Sequence, residues 1–379
     1  MSIKHNVVFV KNKLVTIDTI LPVLIELKDD YNFSSEIIVF DEEAHNAINE
    51  NIVIKDAIEY VGKEVFITKG IKNKIYRRIY LIKGLSLIII KAIFGANLFH
   101  FGALDQYPLK FFGIFFRKNV CVFSVSAYNF KQSKYVKIYR DNNYNPRYFS
   151  KVGDNCVSFG GRYDFCNGVK FKFDLTSSRT RKTWIDYIKE RSGSYLKESH
   201  TNIKLENGFF TIMMSSLDGF SPRLKDPIND QLRLFIETIN VLVMYSDAIP
   251  ILIKPHSYTN VNLLKKLIHN KNNVYITYLH PTLLAMHSRA FIVSSFSNTL
   301  ADAHAFGIDT IEYTNYSDDL LSATCGESVD KQFVTYFINN DYDKFKEVIS
   351  GIASCDYVPS TYSGVIDDNS KFLDHIARK

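Results

Sequence analysis

The chain has 379 residues, 46% of them hydrophobic and 23% charged, with a formal net charge of +6. That length exceeds one ordinary core and suits two domains of about 150 to 200 residues, and an apolar content that includes 29 Phe and 23 Tyr excludes a disordered chain. The mild basicity fits an anionic ligand or an anionic membrane surface, while dispersed basic residues without a recognised motif speak against nucleic acid.

In chain order, HNVVFV reads as a first strand from about residue 6, not as a signal peptide. A loop over KNKLVTID is expected next, then a helix over TILPVLIELKDD and a strand over EIIVF that ends in Asp41-Glu42-Glu43. The most apolar stretch, residues 79–101, is interrupted by Lys83 and Lys91. A spanning helix needs about 20 nearly uninterrupted apolar residues, so none is expected there. ANLFHFGA and NVCVFSV read as two further buried strands. Apolar strands separated by helical stretches argue for a parallel sheet covered on both faces. Residues 130–205 are rich in Tyr, Asn and Lys, with a turn at Gly160-Gly161 and strand-like alternation in VKFKFDL. A linker is expected near 195–206. The five cysteines form no CxxC pair, which gives no zinc or redox site and suits a reducing cytoplasm.

The second half alternates more regularly. Strands are expected at GFFTIMMS (208–215), PILIK, NVYITY, AFIVSS and DTIEY. Helices are expected at 229–247, with spacing at Leu232, Ile236, Ile239 and Val243, then at NLLKKLIHN, PTLLAMHS, SNTLADAHAFG and YDKFKEVISGIA. Five βα units in order predict a doubly wound sheet, where ligands bind at the carboxyl ends of the strands. The predicted domains are 1–205, 206–345 and a C-terminal helical segment, 346–379, packing back on the first domain.

Three features stand at such strand ends. Lys254-Pro255-His256 ends an apolar strand, because Pro255 cannot donate to a ladder. A His presented there can donate to a phosphate oxygen or protonate a leaving group. Equally, it can bond a neighbouring carbonyl at an ordinary strand end. Ser294-Ser295-Phe296-Ser297-Asn298-Thr299 follows the strand FIV and opens a helix. Helix capping accounts for one of its hydroxyls, whereas an anion site at the helix N-terminus accounts for several. Ser216-Leu217-Asp218-Gly219 puts a carboxylate on a Gly-containing loop, either a base, a nucleophile or a ribose ligand, or a solvated turn. Arg223 and Lys225 follow on the same loop. No acid pair is read as a metal-binding DxD, so metal-independent catalysis without a cofactor is expected.

Lys254-Pro255-His256 with Ser294-Ser295 resembles the motif pair of bacterial CMP-sugar glycosyltransferases of the GT-B fold: sialyltransferases, polysialyltransferases and capsule-type Kdo transferases. The resemblance covers residues 206–315. It departs from the family at Ser257, where a second Pro is usual, and at Leu217-Asp218-Gly219, which keeps half of an acidic-acidic-Gly motif. The resemblance implies two Rossmann-like doubly wound domains facing across a cleft. It implies that His256, Ser294 and Ser295, with Lys254 matching the motif's lysine, bind the nucleotide phosphate of a CMP-sugar, and the hydroxyl-rich run adds Ser297, Asn298 and Thr299 as donor-binding candidates. Asp218 and His256 become the catalytic pair, the former as base or as attacking carboxylate. Teichoic-acid glycerophosphotransferases show a similar pattern, which leaves the activated donor open. The N-terminal domain of such enzymes binds a saccharide or glycolipid acceptor, with Asp18, Glu43, His100 and Asp105 as candidates at strand ends.

Residues 71–94 place Lys74, Arg77 and Arg78 on one helical face and Ile75, Ile79 and Ile82 on another, and FFGIFFRK (111–118) adds aromatic and basic residues. Such a pair of segments suits the inner-membrane surface, and equally an ordinary amphipathic helix packed on its sheet. The expected protein is a cytoplasmic, membrane-peripheral glycosyltransferase of bacterial surface polysaccharide.

Overall fold

The structure is a computed structural model that describes residues 4–10, 14–71, 73–101, 109–123, 155–159, 173–175, 180–199, 208–256, 258–295, 297, 299–329, 331–354 and 370–378. The described strands form two sheets. The first comprises β1 (Lys4–Val10), β2 (Phe33–Val39), β3 (Gly62–Phe66), β4 (Asn97–Phe101), β5 (Val120–Phe123), β6 (Asn155–Phe159) and β7 (Phe173–Leu175). Their order is β3-β2-β1-β4-β5-β6-β7, and every pair is parallel. Val7, Val8, Phe9 and Val10 are all fully buried, because helices cover both faces of a parallel sheet.

Sequence periodicity located the apolar strands but missed β3 and β6 and the helices Glu42–Glu50 and Ile52–Val61. β3 is short and half-polar, and it pairs with β2 only because Gly62 carries no side chain: a Cβ there would lie 1.8 Å from the Ser35 carbonyl oxygen. Each missed helix has a side-chain cap. Asp41 accepts from the Ala44 N–H at 2.8 Å and Asn51 from the Ile54 N–H at 3.3 Å. The loop expected over 11–18 is already helical from Leu14, in the helix Leu14–Tyr31. The linker expected from 195 is likewise helical to the end of Lys182–Ser199. Trp184, Ile188 and Tyr195 are buried along one side of that helix, and their packing outweighs the weak propensity of Ser192-Gly193-Ser194. The expected Gly160-Gly161 turn lies outside the described residues.

The second sheet contains β8 (Phe209–Met213), β9 (Ile251–Lys254), β10 (Val274–Ile276), β11 (Ser288–Val293), β12 (Asp309–Thr314) and β13 (Tyr336–Asn339). The order β10-β9-β8-β11-β12-β13, all parallel, is the doubly wound arrangement with its switch point between β8 and β11. β13 extends the five expected βα units by one strand. The helix Asp230–Val243 is turned relative to expectation: Leu234, Phe235, Ile239 and Leu242 are buried, whereas Ile236 is 37% exposed.

The chain divides into two compact units between Tyr187 and Ile188, inside the helix Lys182–Ser199. The expected boundary at 205/206 lies outside the described residues. The helix Tyr342–Ala353 belongs to the second unit, laying Phe345, Ile349 and Ile352 into its core with Phe345 stacked 4.4 Å from Tyr313. The helix Ser370–Ala377 belongs to the first. Its Phe372 meets Phe123 and Phe173 at 5.8 and 5.2 Å, and its Asp374 accepts from the Tyr31 hydroxyl at 2.8 Å. Burial and that carboxylate push the Tyr31 phenol up to about 12.

Candidate active site

The carboxyl edge of the second sheet gathers the three singled-out segments. The register is decisive: Met213 on β8 pairs with Lys254 of β9 on one side and with Val293 of β11 on the other. Pro255-His256 and Ser294-Ser295 therefore leave the sheet at one level, on either side of β8. The Asp218 loop leaves between them. Strands lie about 4.8 Å apart, so the two exits are about 10 Å apart across β8. A phosphate accepting hydrogen bonds of about 2.8 Å from each side covers most of that gap.

His256 is exposed at the tip and its ring lies 3.9 Å from that of Tyr258. The backbone beneath it is fixed. The His256 N–H donates to Thr259 Oγ1 at 2.8 Å, Thr259 Oγ1 donates to the Ser215 carbonyl at 2.7 Å, and the Thr259 N–H returns to the His256 carbonyl at 2.9 Å. Thr259, itself buried, thus ties the end of β9 to the end of β8. Lys254 is half-buried and its Nζ donates to the Tyr278 carbonyl at 3.2 Å.

Asp218 is exposed, carried on a bend whose neighbour Leu217 is fully buried. Its Oδ2 accepts from Asn260 Nδ2 at 2.8 Å, while Asn260 Oδ1 caps the helix Val261–Ile268 by accepting from the Leu263 N–H at 3.1 Å. Buried Gln231 holds the loop from below, donating to the Gly219 carbonyl at 2.9 Å and accepting from Ser215 Oγ at 3.0 Å. Asp218 and the His256 turn are accordingly joined through one short run, Thr259-Asn260. Sequence reasoning missed Thr259, Asn260 and Gln231. The Thr-Asn pair ahead of an apolar helix was a capping signal, whereas nothing local marked Gln231.

Ser294 and Ser295 follow β11 directly. The Ser295 hydroxyl oxygen is buried and has no hydrogen-bond partner among the described residues. A buried hydroxyl left unpaired is costly, and an anion at this edge would satisfy it. The helix expected to open within the segment starts only at Leu300 and runs to Ala305. The serines precede it and do not form its first turn. Its cap residue Thr299 makes no side-chain capping bond, although Ser297 Oγ and Thr299 Oγ1 are 2.9 Å apart. Asn298 lies outside the described residues. Lys225 pairs with Asp318 at 3.2 Å, and Leu224 bridges to Tyr316, which fastens the loop after β8 to the segment that follows β12.

Other candidates have different settings. Asp18 is buried on the helix Leu14–Tyr31, not on a loop after β1. His100 is buried on β4, 6.2 Å from the Phe9 ring. Asp41 is a cap, and Glu42 and Glu43 occupy the first turn that it caps, where negative charge is favoured. Asp105 lies outside the described residues. The sequence also contains a D-x-D triplet, Asp341-Tyr342-Asp343. Asp341 caps its helix through the Lys344 N–H at 2.9 Å and Asp343 pairs with Lys346 at 2.7 Å. Among the described residues no cluster of His, Cys, Asp and Glu could hold a metal ion.

A solved UDP-N-acetylglucosamine 2-epimerase aligns over 99% of this chain and 90% of its own, at 11% identity with a TM-score of 0.51. The chain shares that fold. Two Rossmann-like units in one chain are the composition of the GT-B fold. The glycotransferase of kitacinnamycin aligns over 100% of this chain and 94% of its own, at 9% identity and a TM-score of 0.47. The calicheamicin glycosyltransferase aligns over 100% and 93%, at 9% identity and 0.43. No family model and no curated protein matches the chain.

Proposed function

We propose that this protein is a metal-independent glycosyltransferase that moves a sugar from a CMP-activated donor to a saccharide acceptor. The donor sugar is sialic acid, Kdo or a related acidic sugar, and the setting is cytoplasmic synthesis of bacterial capsule or lipopolysaccharide. The observation that carries the reading is the shared level at which His256 and Ser294-Ser295 leave the sheet on either side of β8. In the CMP-sugar enzymes that these motifs resemble, those residue types hold one phosphate.

The chemistry follows from that placement. The bond between the anomeric carbon and the CMP phosphate oxygen breaks, and negative charge grows on the phosphate. An N–H of His256 and the hydroxyls of Ser294 and Ser295 donate to it, and such pre-placed donors lower the barrier most where charge develops. The acceptor hydroxyl bonds to the anomeric carbon and its proton passes to a carboxylate. Asp218, on the loop between the two phosphate-binding turns, is the candidate in the second unit.

Thermal shift with CMP, UDP and CDP-glycerol tests the donor class. A ligand at a hundredfold excess over its dissociation constant stabilises by about 2.7 kcal/mol. CMP should give the largest shift and His256→Ala should abolish it, with CMP-sugar turnover lost in parallel. A shift with UDP alone would favour a UDP-sugar enzyme such as an epimerase of this fold, and CDP-glycerol turnover a polyol-phosphate transferase. Binding without turnover of any donor would make the chain a nucleotide-binding protein. Unchanged turnover in His256→Ala refutes the assignment.

A further inference from the structure

The helix Lys74–Ile93 buries little of its apolar surface. Gly84, Ile88 and Ala92 face the first sheet, where a Cβ on Gly84 would lie 2.1 Å from Ile67 Cδ1. Ile75 and Ile93 each stand nine residues from Gly84, which at about 3.6 residues per turn is half a turn away. They point outward, and Ile79, Ile82 and Ile90 fall between them on the same outward side. Exposure agrees: Ile75 is 70%, Ile82 64% and Ile93 67% exposed. The helix therefore has two apolar stripes, one under it and one on top. The ordinary amphipathic reading accounts for only the first.

A second exposed apolar group belongs to the C-terminal end of the helix and the segment bonded to it. Asn119 Nδ2 donates to the carbonyls of Ala92 and Ala96 at 3.3 and 3.0 Å, which fastens the chain after the helix Leu109–Phe115 to the C-terminal end of the long helix. Phe94, at 85% exposure, and Phe115, at 67%, project near that junction with Ile114.

Charge decides what covers the patch. Residues 73–94 and 109–118 contain no Asp or Glu, and Lys74, Arg77, Arg78 and Lys83 are exposed along the long helix, while Lys91 turns to Glu36 at 3.0 Å. Three of these cations sit in the opening turns of the helix, at its positive end, where cations are disfavoured. An external anionic surface relieves that repulsion. A second copy of the chain would not, because a two-fold contact would set the same cations against one another. Exposed Tyr76, Tyr80, Phe94 and Phe115 supply the amphipathic rings that settle at a headgroup boundary.

We infer that the outward face of residues 74–94, with residues 114–118, is a docking surface for an anionic lipid bilayer on which this chain lies without spanning it. No described helix is long and apolar enough to cross a membrane. The apolar stripe enters the acyl boundary, and the cations beside it, Arg78 and Lys83 nearest, meet lipid phosphates.

The test is sedimentation of the full chain with vesicles of phosphatidylcholine alone, or of two parts phosphatidylcholine to one part phosphatidylglycerol. Two variants, Ile75→Gln/Ile82→Gln/Ile93→Gln and Lys74→Gln/Arg77→Gln/Arg78→Gln, alter mostly exposed side chains, and circular dichroism should confirm that they fold. Each cation near an anionic leaflet strengthens binding about fivefold, so the charge variant should bind the mixed vesicles on the order of a hundredfold more weakly. The apolar variant should lose binding to a similar degree. Ile90→Trp should show blue-shifted emission on the mixed vesicles, against the constant background of buried Trp184. Equal partition into both vesicle types, or an apolar variant that binds like the parent, overturns the inference. So does a soluble dimer that the glutamine variants dissociate without any vesicle binding by the parent, because the stripe would then be an interface between copies.

Discussion

Thr259→Val tests whether the His256 turn is held by the β8 edge. Valine keeps the shape of threonine and removes one atom, the Oγ1 that accepts from the His256 N–H and donates to the Ser215 carbonyl. Each fully buried group left unpaired costs about 1–3 kcal/mol. Ser215 is half-buried and His256 exposed, so water replaces part of what is lost, and the sum comes to about 2 kcal/mol. For a unit of this size that lowers Tm by about 4–8 °C. Calorimetry is the assay, because two units can unfold in separate transitions and only that of the second should move. The same variant should weaken the CMP binding proposed for this edge, since the backbone that presents the imidazole is no longer fixed. A Tm within about 1 °C of the parent would refute the reasoning, showing that the Thr259 bridge bears no strain of holding the turn.

Two further outcomes follow from the first unit and from the histidines. Arg181 and Glu26 form a buried ion pair, with side chains 4% and 7% exposed. Arg181→Met should cost about 3–5 kcal/mol by leaving a buried carboxylate, and Arg181→Met with Glu26→Leu should recover much of it; equal melting of single and double variants in denaturant would contradict this. Burial holds His287 and His304 below the usual imidazole value. The unfolded chain therefore takes up protons first as pH falls below about 6.5, and stability is lost from there downward until the folded rings protonate as well. Both rings are partly exposed, so the slope should be a few tenths of a kcal/mol per pH unit each, well under the limit of about 1.4. Thermal melts between neutral pH and about 5.5 should show a falling Tm, shallower in His287→Asn; a Tm that rises on acidification would be inconsistent with rings held below the usual imidazole value.

Much of the second unit is legible in its sequence because its strands are short, uninterrupted apolar runs. PILIK, AFIVSS and DTIEY each announce a strand buried on both faces, and Pro255 marks where β9 must stop. Chemical residue types after those strands point to the carboxyl edge, where parallel sheets bind ligands. The first unit yields less. β3 depends on the missing side chain of Gly62, and the helix through Ser199 depends on where Tyr195 and Leu196 can bury themselves, neither of which is a local property.

Residue identity alone determined that a lysine, a histidine and a run of serines follow apolar strands, and that the 74–94 helix mixes isoleucine with cations. Only the tertiary structure decided that β8 lies between β9 and β11 with Met213 level with both Lys254 and Val293, and that Ile75, Ile82 and Ile93 remain in solvent. Strand order and the choice of buried helix face are set by competition among all the apolar surfaces of a unit. No window of sequence contains that competition.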